Sequence, residues 1–221
     1  MSNKRAFNPF AITKAVDLND NQIESFWVAI NAEDDEEAAA EFERPTSPMP
    51  TYILGAKGSG KTHLMRHQAF ELQSLRHAHN QVDIREGVRA DGYLGIYARC
   101  SGLQAGRFSG KRQTDEVWSE VFSYYFELWL SHHLLRVCEQ LDPNREAGAE
   151  AKFVAAVLRL FDRPPLLSGQ TIAALLVSIE DLQKLLDFEV NNCLLRGKLS
   201  VEITATRGKL IFGIPALLAH H

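Results

Sequence analysis

Cysteine is scarce in this sequence, and the three that occur, Cys100, Cys138 and Cys193, lie far apart. An odd number of isolated cysteines without a CxxC pair argues against a disulfide framework and against a zinc site. Long apolar runs are also missing: no segment has the ~20 uninterrupted apolar residues of a membrane span. The N-terminus lacks the apolar run of a signal peptide. We therefore expect a cytoplasmic protein with reduced thiols and no contact with a membrane.

The sequence has no excess of positive charge, since 24 Lys and Arg face 28 Asp and Glu for a net charge of -4. This balance argues against a protein that coats nucleic acid through its overall charge, although a local basic patch remains open. The one basic loop with an aromatic residue, Arg107–Arg112, is most simply a solvated loop. The 221 residues, 45% of them hydrophobic, suffice for one good-sized domain or two small ones.

A Pro-rich stretch, Pro45–Pro50, separates two regions of different composition. The first, residues 1–45, has apolar spacing typical of a helix from Asp20 to Asn31 and then an acidic run, Glu33–Glu41. We interpret residues 1–45 as an N-terminal extension with an acidic linker. Residues 46–221 are expected to form a second, helix-rich domain that is truncated at its C-terminus.

The segment Gly55–Thr62 matches the phosphate-loop pattern GxxxxGK[ST] in full. It follows a β-prone run, Thr51–Leu54, and precedes a helix predicted from Lys61 to Leu75. Glycines let the backbone turn tightly, so that successive N–H groups can surround a phosphate. Lys61 is the expected catalytic cation between the β- and γ-phosphates, and Thr62 the expected ligand of Mg²⁺. The predicted nucleotide-binding residues are Gly55, Ala56, Lys57, Gly58, Ser59, Gly60, Lys61, Thr62 and His63.

A second β-prone run, Tyr93–Ala98, follows the predicted helix. Two strands separated by a helix predict a βαβ unit, and hence an α/β fold with the parallel-sheet core of a P-loop NTPase. Long helices predicted at 116–141, 149–161 and 171–195 would form a large helical insertion. Residues 200–214 are ambiguous, with strand-like alternation at Val201–Thr204 and a further candidate strand at Leu210–Phe212.

The segment Tyr52–Leu64 resembles the Walker A region of AAA-type ATPases. With the start Asn8-Pro9-Phe10 and Ile96–Arg99 before a long aromatic helix, the chain is similar to bacterial ATPases related to origin-recognition and replication-initiation ATPases. That resemblance implies ATP and Mg²⁺ as cofactors and a hydrolase that works in a larger assembly, DNA-associated or defensive. Separately, the density of large aromatics between Trp118 and Trp129 predicts a protein partner or a homo-oligomer.

The family pattern includes a second motif, an apolar strand that ends in Asp-Glu. The nearest match is Leu175–Asp181, but its order is Glu180-Asp181 and its flanks indicate a helix. We therefore expect this chain to bind ATP but to hydrolyse it slowly, as an N-terminal portion of a longer protein or one that a partner completes. Two alternatives stay open: a small-molecule kinase with a helical lid, and a module that holds ATP without hydrolysing it.

Two further patterns have both a functional and a packing interpretation. His63 and His67 have the i, i+4 spacing of a metal pair, but no third ligand is evident, so helix surface or packing is expected. The large aromatics from Trp118 to Trp129 lie on one predicted helix and exceed what a single helix face readily buries. They predict a helix–helix interface, within the chain or with a partner.

Overall fold

The computed structural model describes residues 17–27, 46, 50–196 and 208–219; for 194–196 it describes the backbone alone. The chain divides into two compact units, one ending at Tyr97 and the other beginning at Ala98. The acidic run, the Asn-Pro-Phe start, most of Pro45–Pro50 and the candidate strand at Val201–Thr204 lie outside the described residues. The domain boundary proposed between residues 45 and 46 stays a prediction.

The predicted α/β fold with a parallel-sheet core is wrong, because the described residues form helices and connecting segments without any β-strand. Thr51–Leu54, predicted as the first strand, belongs to no helix or strand, and its Tyr52 and Leu54 side chains are 85% and 89% exposed. Tyr93–Ala98 also has no strand pairing. β-propensity favours an extended backbone locally, but a strand forms only where a second segment accepts its hydrogen bonds.

The first unit contains four described helices: α1 (Asp20–Ser25), α2 (Lys61–His67), α3 (Phe70–His79) and α4 (Ile84–Asp91). Asn19 begins α1 with a capping box, in which its side chain accepts from Gln22 N and the Gln22 side chain accepts from Asn19 N. Asp83 caps α4 through its side chain alone, which accepts from Arg85 N and Glu86 N, and Gly92 ends α4 with φ of 73°. The sequence interpretation placed no helix at α4.

The single helix predicted from Lys61 to Leu75 is interrupted after His67, and α3 begins at Phe70. The Phe70 N–H donates to the Gly95 carbonyl rather than continuing α2. Gly95 approaches so closely that a Cβ atom on it would overlap the carbonyl oxygen of Gln68. A long-range backbone contact thus divides the helix, and no local pattern reveals such a contact.

Gln73, which is fully buried in α3, fixes the segment that follows α4. Its amide nitrogen donates to the Tyr93 carbonyl at 3.1 Å and to the Asp91 carboxylate at 3.0 Å. Its amide oxygen accepts from Gly95 N at 3.0 Å. Asp91 also pairs with His77 at 2.9 Å. A buried amide whose polar atoms are paired in this way orders the segment after α4 without a sheet.

The second unit is a bundle of α5 (Asp115–Leu141), α6 (Ala147–Leu158), α7 (Ile172–Arg196) and α8 (Lys209–Ala219). Two short 3₁₀ turns, Cys100–Leu103 and Ala105–Arg107, precede it. The helices enclose one apolar core, in which Leu128, Leu175 and Ile179 are fully buried. The predicted helices at 116–141, 149–161 and 171–195 are therefore confirmed with shifted ends.

The candidate strand at Leu210–Phe212 is wrong, since these residues belong to α8. Leu210 and Ile214, one helical turn apart, are both fully buried, while Phe212 is 78% exposed. Two buried residues four positions apart have the spacing of one helix face that packs on a core.

The aromatic side chains of α5 are used in two ways. Trp118 and Tyr125 are buried in the core of the unit, and the Trp118 indole donates to the Gly110 carbonyl at 2.7 Å. Phe122, Phe126 and Trp129 are half-buried and stack in sequence along the helix. The helix–helix packing predicted within the chain is thus observed for Trp118 and Tyr125.

Candidate phosphate-binding loop

The loop Gly55–Gly60 is exposed and ends where α2 begins at Lys61. Gly58 and Gly60 have positive φ angles of 91° and 84°. A Cβ atom at either position would meet nothing within 4 Å. Glycine is therefore favoured at these two positions by the backbone angle and not by a lack of space for a side chain. At Gly55, in contrast, a Cβ would come within 2.5 Å of the Ser59 hydroxyl. The motif glycines therefore have two distinct physical roles.

The ammonium of Lys61 folds back over the loop. It donates to the carbonyls of Gly55 at 2.7 Å and Ala56 at 2.8 Å, and to the Ser59 hydroxyl at 3.3 Å. The longest of the three contacts is the weakest, and a phosphate oxygen could take its place while the two carbonyls keep the ammonium in position. The loop thus fits a phosphate: it is open to solvent, its backbone is already curved, and its cation is held in place.

The other predicted ligands lie beside this cation. Thr62 occupies the first turn of α2 and is half-buried, whereas Lys57 is exposed at the tip of the loop. If a triphosphate binds here, the Thr62 hydroxyl is the group available to a bound Mg²⁺. The assignments of Gly55–Thr62 and of Mg²⁺ to Thr62 remain predictions that the geometry accommodates.

His63, predicted to contact the nucleotide, lies in a junction between α1 and α2. The indole of Trp27 stacks on His67 with ring centroids 3.6 Å apart, and on His63 with centroids 5.8 Å apart. Both imidazoles are half-buried. The expected packing role of this pair is thus observed, and no group of three or more metal-ligating side chains occurs in the described parts of the chain.

Burial makes both imidazoles weak bases. It lowers the pKa of His67 to about 4, with further lowering by Arg76 and His63. Burial likewise lowers the pKa of His63, and a hydrogen bond to the Ile23 backbone opposes that shift. Neutral imidazoles pack against an indole without the cost of burying charge, and they offer a phosphate no positive charge. A direct phosphate contact by His63 stays a prediction.

A salt bridge strengthens the same junction. Arg66 of α2 binds the Asp20 carboxylate at 2.7 Å and donates to the Leu18 carbonyl at 2.7 Å. Ile23, on the same side of α1, is fully buried. Sequence reasoning missed this junction because its partners are far apart in the chain and no motif links them.

Glu180 and Asp181, the nearest match to the acidic motif, are exposed residues of α7, as the sequence interpretation expected. Glu180 pairs with His132 at 2.9 Å, and Asp181 with Lys184 at 3.0 Å. Both carboxylates belong to the second unit, whereas the phosphate loop belongs to the first.

Two basic side chains of the loop Arg107–Arg112 are bound within the unit, whereas Arg112 is exposed. Arg107 binds Asp187 at 2.6 Å, and its guanidinium lies 4.8 Å from the Tyr125 ring centroid. Lys111 donates to the carbonyls of Arg107 and Val190, each at 2.9 Å. Because these two cations are used within the unit, they are poorly placed to recognise nucleic acid.

A family model describes this chain over residues 8–221. The chain belongs to the ORC-CDC6-like family. Membership makes this ORC-CDC6-like chain a relative of AAA-type ATPases, a group that generally binds ATP with Mg²⁺ and works in assemblies. No curated protein and no solved structure matches it. Among the described helices, none is long and apolar enough to span a bilayer; a cytoplasmic location stays a prediction.

Proposed function

We propose that this ORC-CDC6-like chain binds ATP with Mg²⁺ through Gly55–Thr62. The observation that carries the proposal is the position of Lys61, whose ammonium is fixed over the loop by the Gly55 and Ala56 carbonyls. A phosphate oxygen that replaces the Ser59 contact gains a charge-assisted hydrogen bond without reorganising the cation.

The nucleotide acts as a gate in a larger assembly, and this chain alone turns ATP over slowly. Hydrolysis needs a carboxylate that positions water and another that supports Mg²⁺. Both candidates lie in the second unit, where Glu180 is paired with His132 and Asp181 with Lys184. A component that binds ATP but hydrolyses it poorly is suited to act as a switch, because partner proteins can respond to whether the nucleotide is bound.

Calorimetric titration with ATP and Mg²⁺ tests the binding. Lys61→Ala is expected to raise the Kd at least 100-fold, because it removes the one cation fixed over the loop. Arg89→Ala is the matched control, since it removes one positive charge from an exposed site on α4 of the same unit. Equal affinity of the wild type and Lys61→Ala would refute the assignment, provided both have the same helical circular dichroism.

A further inference from the structure

The phosphate helix α2 is too short to be stable by itself. It has seven residues, and its N-cap, Gly60, has no side chain to bond the first N–H groups. Isolated helices shorter than about 12 residues are marginal in water, so packing must supply the stability of α2. Whatever packs on α2 therefore decides how firmly Lys61 and Thr62 are held.

A large part of that packing comes from the α1 region and from Trp27, two residues beyond the end of α1. Of the α2 side chains, His63 and His67 lie against Trp27, while Arg66 binds Asp20 and the Leu18 carbonyl. These contacts occupy the helical turn directly after Thr62. The indole stack is the most extensive of them, since it covers two imidazoles that are one helical turn apart.

We infer that Trp27 is a positioning residue for the phosphate loop, and that nucleotide binding and the docking of Trp27 on α2 reinforce each other. This inference rests on the proposed ATP site. When Trp27 is seated, α2 is ordered from its first turn, so Lys61 and Thr62 meet the phosphates without an entropic cost at binding. By linkage, a nucleotide that orders the same turn strengthens the packing of Trp27 on α2.

The first test is affinity, measured by calorimetry with ATP and Mg²⁺. Trp27→Ala is expected to raise the Kd about tenfold, and Trp27→Phe, which keeps an aromatic face on His67, to stay within about twofold of the wild type. His77→Ala is the matched control: it removes an imidazole paired with Asp91 in the same unit but away from the α1–α2 junction. We expect its Kd to equal that of the wild type.

The second test is spectroscopic and needs no destabilising change. Protein labelled with ¹⁵N at tryptophan gives three indole N–H signals, and Trp27→Phe identifies the one from Trp27. Titration with ATP and Mg²⁺ should shift the Trp27 signal along the binding curve, with Trp118 and Trp129 of the other unit as references. The Lys61→Ala protein should show no such shift.

The two proposals fail in different ways. If the wild type does not bind ATP, the phosphate-site proposal itself is refuted. If the wild type binds in a Lys61-dependent manner, but Trp27→Ala binds equally well and the Trp27 signal does not move, only the positioning role is overturned. A loss of affinity in His77→Ala equal to that in Trp27→Ala would also overturn it, because general destabilisation would then explain both.

Discussion

Arg66 and Asp20 form a salt bridge of 2.7 Å that joins the phosphate helix α2 to α1. The Arg66 side chain is 15% exposed and the Asp20 side chain 44%, so the two partners contribute unequally. The guanidinium also donates to the Leu18 carbonyl, whereas the Asp20 carboxylate is the more exposed partner. Loss of the arginine should therefore be the more damaging change.

Arg66→Ala is expected to lower the free energy of unfolding by about 2 kcal/mol, because it removes charge-assisted hydrogen bonds from a mostly buried site. Asp20→Ala should cost about 0.5 kcal/mol, as exposed ion pairs do. Urea unfolding followed by circular dichroism measures both. Equal losses would mean that the Leu18 contact contributes nothing.

The imidazole of His67 makes stability depend on pH. Burial, Arg76 and His63 lower its pKa to about 4 in the folded protein, while Glu24 of α1 lies 3.8 Å from its Nε2 atom. The unfolded chain therefore takes up this proton more readily. The stability that neutral His67 contributes is complete above about pH 6.5 and is lost as the pH falls toward 4.

His67→Asn should remove a large part of this pH dependence. At roughly 1.4 kcal/mol for each pKa unit, the wild type is expected to lose up to about 3 kcal/mol between pH 6.5 and 4 through this group. The measurement is the urea midpoint at a series of pH values. The control His79→Asn, at an exposed position of α3, should follow the wild type. Parallel curves for wild type and His67→Asn would contradict the prediction.

The motif glycines should respond to alanine according to their backbone angles. Gly60 has φ of 84°, a conformation that costs an L-residue about 1–2 kcal/mol. Gly60→Ala is therefore expected to raise the Kd for ATP about tenfold or more, since each 1.4 kcal/mol is a factor of ten. Gly102→Ala, where a Cβ also meets nothing within 4 Å and φ is not positive, should bind ATP like the wild type.

Features that depend on near neighbours in the sequence were predictable. The periodicity of α5 indicated a helix from 116 to 141, and the helix spans Asp115–Leu141. The phosphate loop was equally accessible, because Gly58 and Gly60 themselves permit the positive φ angles. In both places the conformation is determined by residues within the same short segment.

Features that depend on distant segments were not predictable. Thr51–Leu54 has the composition of a strand, yet within the described residues no segment pairs with it. The break between α2 and α3 depends on the Gly95 carbonyl, and the stack on His67 depends on Trp27. Each of these contacts joins residues that no motif or periodicity connects, so the sequence alone supplied no signal.

Trp118, a buried aromatic of α5, should contribute far more stability than an exposed aromatic elsewhere in the unit. Trp118 is 2% exposed and hydrogen-bonded, so Trp118→Ala is expected to cost about 3–5 kcal/mol. Phe212→Ala, at a site 78% exposed, should change stability by less than about 0.5 kcal/mol. Urea unfolding compares the two, and a small loss for Trp118→Ala would indicate that this indole serves a partner rather than the core.

The side chain of Glu180 decides between two accounts of ATP turnover. In α7 it pairs with His132 at 2.9 Å and lies 4.0 Å from Lys184, and its side chain is 47% exposed. A carboxylate engaged in this way on a helix surface does not polarise an attacking water. Glu180→Gln should therefore leave the slow phosphate release of the chain unchanged, as measured with excess ATP and Mg²⁺.

The opposite result has a definite meaning. Steady turnover by the wild type, abolished in Glu180→Gln while ATP affinity is preserved, would make Glu180 the water-activating acid. His132→Gln separates this from a structural effect, because it removes the imidazole that contacts Glu180 but keeps the carboxylate. If Glu180 acts only through its pair with His132, both variants lose the same stability and neither changes turnover. Steady turnover by the wild type that is lost in Glu180→Gln but kept in His132→Gln would overturn the proposal that this chain alone hydrolyses ATP slowly.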